Sequence, residues 1–590
     1  LRNRFGEVLI PSKYLKPKIT PDNNVRTYWP ERKSRPRVTS EVHKDIYLIQ
    51  VPNLRESGYY AGVSALKAYF KKYQPELRVL CADPIMPFFE KNNELVHSKF
   101  GIDFNTFAHQ GDFMRLGNYP KMKNVCDIVC DEITKYNPFY VGFSIIDGNI
   151  DATLYIAKYI KKQFPNINII FGGKGVDVIR GGVMPGRKEG WEKSDNLKGK
   201  ITNASTYIYD FKKWDFVDYI IFGDGEVPFH KIIGQETKKN LHTKVPGLVY
   251  QYNNKWYGSR EQQHHIDKTY ATEVKYFRMK HKRGELDIPT PDYSDFVDTP
   301  HYQKSYAQTV PIIMSRGCPF KCSFCSIPTV VPQFNHRRVD SVVEEFEQWY
   351  NRGHKNFFIH DSIINFNSVW LREFCEKIIA KKWEHLTWGG NMRLIKPMRD
   401  IDNMRLYSKA GFHTMITGME SASPKVLRHM KKYSSIQGMR DIFDNIREIN
   451  NDPKTEYPIR ILLQLIIGYI NESEEDFQMT MDFVEEYHDI ITEVTTCSLF
   501  LCWWPLVERW RNEGNSINFK NEVEWETEFS TLEQRLERGK RIEKLFKKLG
   551  LKYNLYLREV ISGDSSHSSI VEGEHKIDKK ILTEIINERT

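Results

Sequence analysis

Short apolar runs alternate with amphipathic stretches twice along this 590-residue chain, and that alternation restricts the fold more than any other feature. The first series begins at Asp45. Strands are expected at 46–51, 77–80, 139–146, 167–171 and 217–222, with helices over 58–73, 126–136, 152–163 and 228–233. The second series begins near Thr309, with strands at 309–315, 356–360, 386–391, 413–418, 460–467 and 493–500. Helices are expected between them at 340–352, 368–381, 400–409, 423–430, 436–449 and 473–487. Strand–helix repeats build parallel sheets covered on both faces, and ligands bind beyond the carboxyl ends of such strands. The expected class is α/β: a doubly wound domain, then a partial barrel of parallel strands.

The rest of the chain divides around these two series. Residues 1–44, with Pro11, Pro17, Pro21, Pro30 and Pro36, read as an extended arm. The first domain is expected over 45–235, with an insertion at 174–213, and a connector over 236–305. The barrel spans 306–510, and a small, mostly helical region 511–590. Hydrophobic residues at 40% support a sizeable core, and nine cysteines are too few for a disulfide scaffold. The balance of 86 basic and 76 acidic residues gives +10, too modest for a DNA-coating surface. No run of 18 or more apolar residues occurs, so no membrane span is expected. The start, Leu1-Arg2-Asn3-Arg4-Phe5, has no apolar signal core, and the expected location is cytoplasmic. A first residue of Leu rather than Met leaves the true N-terminus open.

The sharpest chemical feature is Cys318-Pro319-Phe320-Lys321-Cys322-Ser323-Phe324-Cys325, in the loop after the first barrel strand. Thiolates are soft ligands suited to iron–sulfur clusters and zinc. Three from one tight loop leave one iron of a four-iron cluster open to another molecule. The alternatives are a zinc knuckle or three structural cysteines. A zinc site needs a fourth ligand; His336 and Cys375 are available, but neither forms a second local motif.

The triplet, with Phe324 before its third cysteine, resembles the cluster motif of the radical SAM superfamily. Gly418-Met419-Glu420-Ser421 is similar to the family's Gly-x-Glu-Ser element, and Lys425–Lys432 to the helix that follows it. Gly468-Tyr469-Ile470-Asn471-Glu472 resembles the element after the fifth strand. The Gly–Gly–Glu element after the second strand is absent, and His360-Asp361-Ser362 stands there. The resemblance implies a TIM-type (β/α)6 barrel with Cys318, Cys322 and Cys325 holding a [4Fe–4S] cluster. It further implies that the open iron chelates S-adenosylmethionine (SAM), whose reductive cleavage gives a 5′-deoxyadenosyl radical. Phe324, Asp361, Arg393, Glu420, Ser421, Gly468 and Glu472 are the candidate SAM contacts. For Glu420 and Glu472 the alternative is a carboxylate at a helix N-terminus.

A doubly wound domain ahead of such a barrel resembles the cobalamin-binding, methyltransferase-like branch of that superfamily, whose first domain is Rossmann-like. The matching positions are Pro52 with Gly62 and Leu66 after the first strand, Ser144 after the third, Gly172 and Gly173 after the fourth, and Gly223-Asp224-Gly225-Glu226 after the fifth. Glycines let the backbone approach a bulky nucleotide tail, although ordinary tight turns would also use them. Val51-Pro52-Asn53-Leu54-Arg55 carries no histidine, so no imidazole is assigned to cobalt. His97 and His109 are read as structural or surface groups.

Cys126 and Cys130 stand one helical turn apart and are expected to pack in a core. Cys502 is a candidate hydrogen-atom or proton donor. Arg535, Arg538, Lys540, Arg541, Lys544, Lys547 and Lys548 crowd one late helix, expected to be a solvated face, with an anionic or carrier-bound substrate as the alternative. The implied activity is methylation of an unactivated carbon or phosphorus centre with a flavodoxin- or ferredoxin-like electron donor. The alternatives are cyclisation, ring rearrangement or oxidative ring closure with the same cofactors, or a non-catalytic cobalamin or Fe–S sensor.

Overall fold

The fold was described from a computed structural model of the chain. It covers residues 43–51, 60–83, 120–145, 150–173, 175–176, 214–233, 235, 238–253, 255–258, 288–297 and 309–556. Within the last block, 326, 328–333, 433, 501, 503 and 521–523 are excepted. The expectations for the arm, the 174–213 insertion, His97, His109 and the segment after 556 lie almost wholly outside the described residues.

The first series forms β1 (Ile46–Ile49), α1 (Ala61–Tyr73), β2 (Val79–Ala82), α2 (Pro120–Tyr136), β3 (Tyr140–Ser144), α3 (Ile150–Gln163), β4 (Asn168–Gly172), β5 (Tyr219–Ile221) and α4 (Glu226–Ile233). Strands β6 (Leu248–Tyr252) and β7 (Lys255–Gly258) complete a sheet of order β2-β1-β3-β4-β5-β6-β7. The first five strands are parallel; β6 and β7 run antiparallel. Part of the expected connector is therefore an extension of this sheet. Its backbone groups find partners along the open edge of β5, which a free hairpin would leave to water.

Alternate residues of β1 enter different cores, as a strand's period of two requires. Tyr47 and Ile49 pack with Cys126, Val129, Cys130 and Ile133 of α2 and with Ile156 and Ile160 of α3. Ile46 and Leu48 pack with Val63 and Phe70 of α1 and Phe229 of α4. That second face is continuous with the barrel core through Tyr293 and Phe296 of the linker. One face of the first sheet thus shares an apolar core with the barrel, and the other face packs under α2 and α3 in a separate core.

The second series contains β8 (Thr309–Ile312), the short antiparallel pair β9 (Ser315–Arg316) and β10 (Asn335–His336), α5 (Val339–Tyr350), β11 (Asn356–Ile359), α6 (Ser368–Ala380), β12 (Thr387–Asn391) and α7 (Ile401–Lys409). It continues with β13 (Phe412–Glu420), α8 (Pro424–His429), α9 (Ile436–Asn451), β14 (Arg460–Ile467), α10 (Glu474–Glu486), β15 (Ile491–Leu499) and α11 (Trp504–Asn512). Strands β16 (Asn518–Phe519) and β17 (Trp525–Glu526), α12 (Leu532–Leu549) and β18 (Lys552–Tyr556) follow.

The sheet order is β18-β15-β14-β13-β12-β11-β8, all parallel. The six expected strands are present, and β18 adds a seventh from the region read as mostly helical. Helix starts are marked by side-chain caps: Ser473 with Asp476 on α10 and Thr531 with Gln534 on α12 are reciprocal capping boxes. Residues of β14 alternate strictly, with Ile461, Leu463, Leu465 and Ile467 buried against helices and Leu462, Gln464 and Ile466 on the lumen side.

Arg337 is fully buried beside Glu345 of α5. It donates to Ile313 O at 3.0 Å and Ser341 Oγ at 2.8 Å, so it pins the strand after the cysteine loop to α5 and to the end of β8.

Candidate functional site

The candidate cluster and SAM residues lie in β13 or in the loops at the carboxyl ends of the barrel strands, and Cys502 follows β15 at the same end, whereas His336 lies in β10 and Cys375 in α6. Cys318, Cys322 and Cys325 are half-buried, whereas the other six cysteines are buried. Among the described residues no three Cys, His, Asp or Glu side chains converge tightly enough to hold a single metal ion. Three thiols in one loop have the donor chemistry that suits an iron–sulfur cluster. Ser323 anchors the loop: its N–H donates to Met430 O at 2.9 Å, and its hydroxyl donates to His429 O at 2.9 Å.

Arg393 lies against this loop. Its Nη1 is 3.3 Å from Cys322 Sγ, and its guanidinium is 4.2 Å from the centre of the Phe320 ring. Nη2 donates to the Lys432 carbonyl, and Asn365 grips the Arg393 backbone from both sides, at 2.7 and 3.0 Å. Glu420 is buried with Lys432, Nζ to Oε1 3.0 Å, and that ammonium sits 5.7 Å from the Phe324 ring centre. Glu420 has φ +68°, unusual for a residue other than glycine, at a register shift between Gly418 and Glu420. A Cβ at Gly418 would overlap the Glu420 carboxylate and lie 3.2 Å from Lys432 Nζ. The glycine thus lets this carboxylate fold back over β13. Lys432 was not read from sequence as a site group; only its place at the end of the Lys425–Lys432 stretch pointed to it.

Other candidates face elsewhere. Asp361 accepts from Met314 N at 2.9 Å and Ser315 Oγ at 2.5 Å, so it ties β11 to the strand before the cysteine loop. Burial pushes its carboxyl up to about 7, against the lowering effect of those hydrogen bonds. Ser421 is fully buried, with its hydroxyl 3.3 Å from Thr480 Oγ1 and accepting from Ser423 N at 3.1 Å. Glu472 accepts from Gly468 N at 2.6 Å and lies 3.6 Å from Arg538. Cys502, Cys497, Cys126 and Cys130 are buried.

The late basic helix, α12, is corrected by this arrangement. Arg535 and Arg538 are buried, because α12 packs across the loop after β14. Arg538 reaches Glu474 at 3.1 Å and the Glu472 carbonyl at 3.1 Å, and Arg535 lies 3.8 Å from the Trp525 ring centre. Lys540, Lys544, Lys547 and Lys548 keep the exposed face that the periodicity suggested.

Burial pushes the Glu472 carboxyl from its ordinary 4.5 up to about 8. The folded chain therefore holds a proton there that the unfolded chain releases, and this group opposes folding increasingly as pH rises from about 4.5 to 8. Glu472→Gln should gain thermal stability relative to the parent as pH is raised through that window. Melting curves at several pH values check this, and a difference independent of pH contradicts it.

In the first sheet, Ser144 and Gly172 end β3 and β4, Gly173 follows β4, Gly223 and Gly225 follow β5, and Glu226 opens α4. A Cβ on Gly173, φ +91°, would lie 2.5 Å from Ile145 O and 3.1 Å from Ser144 Oγ, so only glycine fits there. A Cβ on Gly62 would stand 3.3 Å from Ser144 Oγ, and one on Gly172 would meet open space. Gly173 is thus packed against the Ser144–Ile145 backbone, and Gly172 is the position of this group whose Cβ side is open. The two oxygens of Glu226 instead face Arg316, at 2.5 and 3.2 Å. Sequence reasoning did not single out Arg316, although it stands two residues before Cys318.

Residues 312–484 match the radical SAM superfamily. A methyltransferase acting on bacteriochlorophyllide d at C-12(1), from Chlorobaculum tepidum, is 31% identical over 35% of this chain and 44% of its own length. The anaerobic magnesium-protoporphyrin IX monomethyl ester cyclase of Synechocystis is 28% identical over 50% of each chain. The chain thus spans about half the length of these curated relatives. Among solved structures, the radical S-adenosylmethionine methyltransferase TsrM of Kitasatospora setae, with cobalamin and a [4Fe–4S] cluster bound, has the same fold. Its TM-score is 0.50 at 13% identity, over 78% of this chain and 73% of that one. Among the described residues no helix is long and apolar enough to cross a membrane.

Proposed function

We propose that this protein is a cobalamin-dependent radical SAM enzyme that methylates an unactivated carbon or phosphorus centre. The observation that carries the reading is the half-buried thiol triplet at the barrel mouth, with the glycine turns of a doubly wound sheet joined to it through Arg316. The methyltransferase likeness favours methyl transfer, and the cyclase likeness keeps radical ring closure as the second reading.

When bound, the cluster and SAM supply a 5′-deoxyadenosyl radical, and the corrinoid supplies a methyl group. Cys318, Cys322 and Cys325 would hold the cluster. Arg393, beside Cys322, is the candidate partner for the SAM carboxylate. Glu420 and Lys432 offer a paired acceptor and donor on the lumen side of β13. Asp361 acts through Ser315 to hold the loop. Ser144, Gly172, Gly173, Gly223 and Gly225 are the candidate contacts for the corrinoid, with no cobalt ligand assigned from the protein. The barrel walls keep water from the radical. A flavodoxin- or ferredoxin-like protein supplies electrons. Lys540, Lys544, Lys547 and Lys548 leave room for an anionic or carrier-bound substrate.

Anaerobically reconstituted protein, given SAM and reductant, should form 5′-deoxyadenosine. With an accepted substrate, S-adenosylhomocysteine should accumulate alongside it. 5′-Deoxyadenosine without S-adenosylhomocysteine during turnover favours ring closure instead. Neither product from a protein with its cluster filled rules out the enzyme reading and leaves a sensor.

A further inference from the structure

Strand β9 is held from two sides. Ser315 Oγ donates to Asp361 of the barrel at 2.5 Å. The neighbouring Arg316 turns the other way, as the period of a strand requires. Its Nη1 donates to Asp224 Oδ1 at 3.1 Å and Glu226 Oε2 at 3.2 Å, and its Nη2 to Glu226 Oε1 at 2.5 Å. The Asp224 and Glu226 side chains are 3% and 4% exposed. These carboxylates flank Gly225 in the turn between β5 and α4, on the other sheet and 90 or more positions away in sequence. Asp224 and Glu226 thus serve the cysteine loop as well as their own turn.

We infer that Arg316 is a positioning residue: its forked bond to Glu226, with the third bond to Asp224, sets how the cysteine loop stands against the glycine turns of the first sheet. This deepens the proposed function and rests on it. The apolar core already joins the two units, so the ion pair is not needed to hold them together. A buried ion pair contributes little net stability compared with apolar packing. Its two-bond fork does fix direction, which a hydrophobic contact does not. Transfer between two cofactor sites depends on such registration, since about 1 Å of misplacement can slow a reaction about 100-fold.

The test reads each side of the clamp after changing the other. In the full chain, Glu226→Gln should speed backbone hydrogen exchange in the 315–325 loop about tenfold, the effect of losing one charge-assisted hydrogen bond. It should also alter the electron paramagnetic resonance line shape of the reduced cluster at unchanged iron content. Arg316→Lys, which keeps the charge but loses the fork, should speed exchange at 223–226 and broaden the dipolar coupling between cob(II)alamin and the reduced cluster. Unchanged exchange across the clamp in both variants overturns the inference. A parent protein that retains no corrinoid through gel filtration refutes the cobalamin reading instead, and the exchange measurements still decide the role of Arg316.

Discussion

Cys322→Ala should abolish the iron–sulfur chromophore, with iron and acid-labile sulfide falling from about four per chain to background after anaerobic reconstitution. Six of the nine cysteines are buried, and only the Cys318, Cys322 and Cys325 triplet is half-buried. Cys322 is the middle cysteine of the three, and Arg393 lies 3.3 Å from its sulfur. Cys126→Ala and Cys130→Ala, in the core of the first sheet, should keep full iron and lose only packing energy. A four-iron spectrum in the Cys318→Ala, Cys322→Ala, Cys325→Ala triple variant overturns the ligand assignment. Loss of the chromophore should carry with it all 5′-deoxyadenosine formation.

The second large effect concerns stability. Arg337→Met should destabilise the fold by about 3–5 kcal/mol, the usual penalty for stranding a buried charge. Arg337 and Glu345 are both fully buried, and Arg337 also holds Ile313 O and Ser341. Burial already raises the Glu345 carboxyl despite the guanidinium beside it, so the arginine is what keeps that acid tolerable in the core. Arg337→Met combined with Glu345→Leu should recover most of the loss, because removing both partners removes the stranded charge. Denaturant midpoints at matched cofactor content measure this. A single variant that loses less than about 1 kcal/mol would show the pair to be incidental.

Much of this was legible locally. The apolar run Ile46-Tyr47-Leu48-Ile49 marks a strand by itself, and the structure forms it there. The Cys318–Cys325 spacing likewise needs only one loop. Strand β18 was not legible, since Lys552–Tyr556 becomes a strand only by pairing with β15, more than 50 positions earlier. The late basic helix shows the same limit: its period is readable, but that Arg535 and Arg538 are its buried members depends on α12 lying over Gly468 and Glu472.

The sequence by itself determined two strand–helix series and a loop with three closely spaced cysteines, because hydrophobic period and cysteine spacing act over a few residues. Only the tertiary structure decided which charges meet. Glu420 with Lys432, Arg337 with Glu345, and Arg316 with Asp224 and Glu226 lie 8 to 92 positions apart. Nothing local favours these pairings. They form because folding takes each charge out of water, and a buried charge persists only where the packed chain brings it an opposite one.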